Sequence, residues 1–178
     1  MSRAGRIVAW TGGSLIALVL LVYLIGLFLP VRHSVTLARE VAGTPEEVWT
    51  VITGVEEFPA WRPGVVHAER LEPLGGWPAW REEGPDETLT FAIAAVEPPR
   101  RLVSEIVDEG LPFGGRWTYT LEPTASGTRV TITEDGFVYS PLYRVVSRFA
   151  GYETTAQSYL DALQARMGGI VEQVPPPG

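Results

Sequence analysis

A chain of 178 residues with 46% apolar and 20% charged side chains holds one domain of about 140 residues plus short additions, and disorder throughout is excluded. Its net charge of -7 argues against nucleic acid as a partner, because binding phosphates needs a positive excess. Cysteine, lysine and asparagine are absent and only two histidines occur. That removes disulfides, thiolate and multi-histidine metal sites, Schiff-base chemistry, the Walker lysine and N-glycosylation, so no cofactor and no metal is expected.

Residues 1–6 form a short flank with Arg3 and Arg6. Ile7 to Leu29 then runs without a charge, long enough as a helix to cross about 30 Å of hydrocarbon. A cleaved secretory signal would have a shorter apolar core and a small-x-small site, and Phe28-Leu29-Pro30-Val31 offers none. Residues 7–29 are therefore expected to be a retained transmembrane helix and the membrane contact. A bias of about one charge favours a cytoplasmic N-terminus and an exported C-terminal domain. That domain has 12 arginines against 21 acids, so charge would not hold it to anionic lipid.

Residues 33–168 read as one domain, followed by a disordered tail over 169–178. His33 to Val41 is a first strand. Thr44-Pro45-Glu46-Glu47 opens a helix, with Thr44 as cap, Pro45 at the first helical position and Glu47 completing a capping box. Phe58-Pro59-Ala60-Trp61 forms a second short turn. Six strand segments follow at hairpin spacing: 65–71, 79–83, 88–96, 102–107, 116–121 and 128–134. Ser140-Pro141 then opens one long amphipathic helix that carries Leu142, Val145, Val146, Phe149, Ala156, Leu160, Leu163 and Met167 and stops at Gly168-Gly169. The economical packing is α+β: a seven-stranded curved antiparallel sheet around a long C-terminal helix, with the small helices closing one end.

Three stretches carry a resemblance: Thr44 to Trp49 followed by Phe58 to Gly64, Glu97 to Leu102, and Gly114 to Tyr119 with Gly127 to Val130. In this order and spacing the chain resembles the START-like, polyketide cyclase-like superfamily, the SRPBCC or helix-grip proteins, over about residues 35–168. The resemblance implies a hydrophobic cavity between sheet and long helix, and lipids, sterols, polyketides or other apolar molecules as ligands. It carries no reaction with it, since the shared motifs are structural. Where anchored relatives often open the last helix with Asn-Pro, this chain has Ser140-Pro141.

Trp61, Trp80, Phe91, Trp117, Tyr119 and Tyr152, with Phe149 on the long helix, are candidates for the cavity lining, because large flat side chains suit an apolar ligand. Ordinary core packing is the plainer alternative for any one of them. Glu134 shares strand parity with Val130 and Ile132 and so points inward, where a bare carboxylate is costly. Arg144 or Arg148 could bring it a guanidinium; a structural ion pair or a strand-end bulge is the competing reading. Glu105 could face either side of its strand. His67 reads as a solvated strand residue and His33 as surface near the membrane. Glu82/Glu83 and the other adjacent glutamates read as solvated acidic surface, and the glycine pairs at 75–76 and 114–115 lack the following helix that a phosphate cradle needs.

Three functions remain open. The first is a membrane-anchored module binding a hydrophobic small molecule or lipid. The second is a cyclase or dehydratase using Glu134 or Glu105 as base and an arginine to stabilise an enolate. The third is a non-catalytic module whose acidic surface engages a basic protein partner.

Overall fold

The computed structural model describes residues 3–168, with side chains from Ser14 onward. Helix α1 (Arg3–Phe28) leads through Leu29-Pro30-Val31 into strand β1 (Arg32–Val41). Helix α2 (Pro45–Thr53) begins with the expected capping box: Glu47 N–H donates to Thr44 Oγ1, and Thr44 N–H donates to the Glu47 carboxylate at 2.8 Å. A single 3-10 turn (Val55–Glu57) joins it to α3 (Phe58–Trp61). Six strands follow: β2 (His67–Leu74), β3 (Trp77–Glu83), β4 (Thr88–Glu97), β5 (Arg101–Ile106), β6 (Phe113–Pro123) and β7 (Thr128–Val138). They form one seven-stranded sheet in the order β1-β7-β6-β5-β4-β3-β2, with every neighbouring pair antiparallel.

Strand alternation decides which face is buried. Val130 and Ile132 of β7 and Tyr119 and Leu121 of β6 point to the concave side, where they meet Val48 and Ile52 of α2 and Leu160 and Leu163 of the last helix. A smaller cluster of Val55, Phe58, Ala68 and Trp80 fills the corner under α3.

The single long C-terminal helix expected from the apolar spacing is two helices. Helix α4 (Pro141–Ala150) ends at Gly151, whose φ of +87° favours glycine, and α5 starts at Thr154 and runs to Arg166. Apolar residues keep helical spacing on both sides of the break, so periodicity reads across it. Only α5 is gripped by the sheet: Ala156, Tyr159, Leu160 and Leu163 are buried there, whereas Leu142, Tyr143, Val146 and Phe149 of α4 stay exposed.

Arg144 is not near Glu134, as the sequence had allowed. Its buried guanidinium donates to four backbone carbonyls: Gly26 and Leu29 at the end of α1, at 2.9 and 3.0 Å, and Val138 and Tyr139, at 3.0 and 2.9 Å. The Gly26 carbonyl, which also accepts from Leu29 N–H at 3.3 Å, and the Leu29 carbonyl just past the helix are thus tied to the domain. Arg148 is exposed. Among the described residues no helix is long and apolar enough to cross a membrane. The described residues therefore do not themselves carry the span expected over 7–29. The expected tail at 169–178 lies outside them.

Strand direction gives the sheet two distinct ends. Arg32, Phe137, Phe113, Ile106, Thr88 and Glu83 lie at the end where α1 attaches. Val41, Thr128, Pro123 and the β2–β3 hairpin at Leu74 and Trp77 lie at the other.

Candidate ligand-binding cavity

A cavity of about 690 Å³ separates the concave face of the sheet from α3, α5 and the α4–α5 junction. Its deep wall is apolar and aromatic, including Ile52, Phe58, Trp80, Phe91, Leu102 and Trp117. Trp80 and Phe91, paired across β3 and β4, stack with ring centroids 5.3 Å apart and planes 12° from parallel, which presents one broad flat surface.

Two polar centres interrupt this lining. The first is built on Glu82, which follows Trp80 by two residues in β3 and so shares its inward face. Its Oε1 accepts from Arg62 Nη1 at 2.5 Å and from Trp80 Nε1 at 2.7 Å. The Arg62 guanidinium also lies over the rings of Phe58 and Tyr159, at 4.6 and 5.1 Å. Burial is the largest single influence and favours loss of the Arg62 proton, yet the Glu82 carboxylate together with Tyr159 and Tyr119 raises the group above its ordinary value and holds it charged. Beside it, burial pushes the Tyr119 phenol up to about 12 and the Tyr159 phenol well above its ordinary range. Both phenols stay protonated as hydrogen-bond donors next to a fixed cation.

The second centre is Glu134. Its Oε1 meets His33 Nε2 at 3.3 Å, and the imidazole stacks on Tyr152 with centroids 4.0 Å apart. The Oε2 atom is buried without a hydrogen-bond partner among the described residues. Burial raises the Glu134 carboxyl above its usual range, against the opposing pull of His33 and the Trp117 side chain.

Trp80, Phe91, Trp117, Tyr119, Glu134 and Tyr152 all line the cavity. Glu105 also borders it, but at the rim, where it is paired with Arg116 at 2.8 Å. Trp61 is packed behind the lining, edge-on to Tyr159 at 5.2 Å. Phe149 is 87% exposed, because it lies on the outer face of α4 with Leu142 and Val146. His33, expected at the surface, is half-buried against Glu134, since β1 pairs with β7 and sets the two side chains together. Glu82, expected to be solvated, is buried. Sequence reading missed Arg62, Glu82, His33 and Tyr159; parity from Trp80 was the available signal for Glu82.

A family model described as polyketide cyclase / dehydrase and lipid transport matches residues 32–171. The chain belongs to that family. Among solved structures, this cyclase-family chain is similar to the ZhuI aromatase/cyclase from Streptomyces sp. R1128, with a TM-score of 0.64 at 16% identity, covering 78% of this chain and 99% of that one. A START superfamily protein from Mycobacterium smegmatis gives 0.64 at 19%, covering 76% and 97%. The di-domain aromatase/cyclase StfQ from the steffimycin biosynthetic pathway gives 0.61 at 15%, covering 79% of this chain; the chain spans about half of that protein's length, 51%. At such identities the likeness shows the fold alone. No curated protein matches the sequence.

Proposed function

We propose that this cyclase-family chain is a membrane-anchored receptor for an apolar small molecule or lipid, held between the sheet and α5. The observation that carries this reading is the cavity itself. Its volume lies within the usual range for small-molecule sites, and its deep wall is flat and aromatic, with Glu83, Asp86, Glu87 and Glu105 among the residues that border it. The ligand it fits has an extended or fused-ring apolar body and one oxygen function that Arg62, Tyr119 and Tyr159 can receive. Anchoring is supported by the uncharged run Ile7 to Leu29 and by the exposure of Leu15, Ile16, Leu18, Leu20 and Leu24 on α1. The same charge bias favours a cytoplasmic N-terminus and an exported domain. Native mass spectrometry of the full chain, released from nanodiscs after exposure to a panel of lipids and polyketides, tests the reading: an added mass should be retained. A cavity that stays empty across the panel sinks it.

A second reading, an enzyme of cyclase or dehydratase type, draws on the same geometry. Arg62 and two protonated phenols could polarise a carbonyl, and Glu134 with His33 could take a proton. Glu105 is the less favoured candidate, because it is engaged with Arg116 at the rim. Glu134→Gln should then abolish turnover of a polyketide substrate while retaining bound ligand; equal turnover in both proteins removes this reading.

A further inference from the structure

The cavity and the anchor share one end of the molecule. Glu83, Gly84, Phe113, Phe137 and Val138 border the cavity, and all lie at or beside the end of the sheet where α1 attaches. Pro85, Asp86 and Glu87 of the β3–β4 turn border it at the same end, and Ser147, Ala150, Gly151 and Tyr152 border it at and just after the end of α4.

Helix α4 is fixed at the level of the last turn of α1. Arg144 reaches the carbonyls of Gly26 and Leu29, and the Pro141 carbonyl packs against Gly26 so closely that a Cβ there has no room. Only Leu29, Pro30 and Val31 separate α1 from β1, a reach of at most roughly 10 Å. The outer face of α4 carries Leu142, Tyr143, Val146 and Phe149, exposed by 39, 53, 64 and 87%, with Tyr139 beside them at 59%. Nothing among the described residues covers this face, and it continues the exposed apolar surface of α1.

We propose that α4 lies in the lipid interface, apolar face down, and that the cavity therefore opens toward the bilayer, so that ligand is exchanged with the leaflet rather than with bulk water. An amphipathic helix level with the end of a span has its apolar side at the boundary between head groups and acyl chains, and tyrosines suit that depth. The occupant of the face is lipid, by continuity with α1 and by the shortness of the connection. The inference rests on the anchored reading above.

The chain has no cysteine, so single cysteines label uniquely. Phe149→Cys, Val146→Cys, Leu20→Cys and Leu74→Cys full-length proteins, each carrying the NBD fluorophore, are reconstituted in phosphatidylcholine vesicles. Quenching by nitroxide-labelled phosphatidylcholine is compared with quenching by aqueous iodide. Labels at 149 and 146 should show blue-shifted emission, quenching by nitroxide lipid and loss of iodide quenching, as at 20; the label at 74, at the far end, should show the reverse. A label at 149 that behaves like the one at 74, while 20 remains lipid-quenched, overturns the inference and leaves the anchor standing. Iodide access at 20 overturns both. Protection at 149 that disappears as protein is diluted in lipid assigns the face to a second copy of the chain and also overturns the inference.

Discussion

Glu82 and Arg62 form a charge pair inside an otherwise aromatic wall, and such a pair is judged by what happens when half of it is removed. Glu82→Ala leaves a buried guanidinium facing only rings and phenols. It should lower the unfolding free energy by about 3 kcal/mol in urea melts, near the low end for a broken buried pair. Adding Arg62→Met should recover part of that loss, since two absent charges cost less than one stranded charge. Glu134 differs, because burial raises its carboxyl from the ordinary 4.5. A carboxyl raised by folding favours the folded state while protonated, below about 4.5, and loses that contribution as pH rises through its folded value. Glu134→Gln should therefore gain stability relative to the parent as pH is raised from 4.5 to 8, read from urea melts at both ends; a constant difference would mean that His33 fully compensates the burial. The inward direction of Glu134 was legible from the parity of Val130 and Ile132. Its partner was not, because His33 reaches it across the β1–β7 pairing, a contact 101 residues apart in sequence.

Elements were easier to read than their junctions. The capping box at Thr44, the Ser140-Pro141 start and the turn-bounded strands declare themselves locally, so seven strands and the small helices could be placed from sequence. The break at Gly151 was hidden because Phe149, Ala156 and Leu160 keep helical spacing while belonging to different environments: the first faces outward on α4, the others the core on α5. A glycine with φ of +87° and ψ of 124° marks the change. Gly151→Ala should cost roughly 1–3 kcal/mol from the strained backbone, seen as a lowered melting temperature. An unchanged melting temperature would show that the two helices can merge without penalty. The outward turn of α4 also explains why Phe149 fails as a lining residue although its spacing agrees with Leu142 and Val146.

At the scale of the whole molecule, a family resemblance legible in ordered motifs gave the architecture and the existence of a cavity, while ligand identity depends on side chains that meet only in three dimensions. Placement relative to the membrane is a separate question with a direct measurement. Fusions at Gly178 should give active alkaline phosphatase and a dark cytoplasmic fluorescent reporter; the opposite pattern reverses the topology and leaves the fold untouched. The fragment 31–178 should fold alone, because the sheet, α2 and α5 supply the buried core. It should nevertheless melt below the full chain, since Arg144 keeps the Val138 and Tyr139 carbonyls but loses those of Gly26 and Leu29. Equal melting temperatures would mean that water replaces the two lost carbonyls at no cost.

Arg144 recognises α1 only through main-chain oxygens, and an oxygen of the backbone is the same whatever side chain stands beside it. The end of α1 is in that respect held through atoms that every residue shares. Side-chain substitutions over residues 14–25 should leave these two hydrogen bonds in place. Position 26 is the exception, because any side chain larger than hydrogen runs into the Pro141 carbonyl. One arginine and one glycine thus divide this joint into hydrogen bonds indifferent to side chains and a single point that admits none.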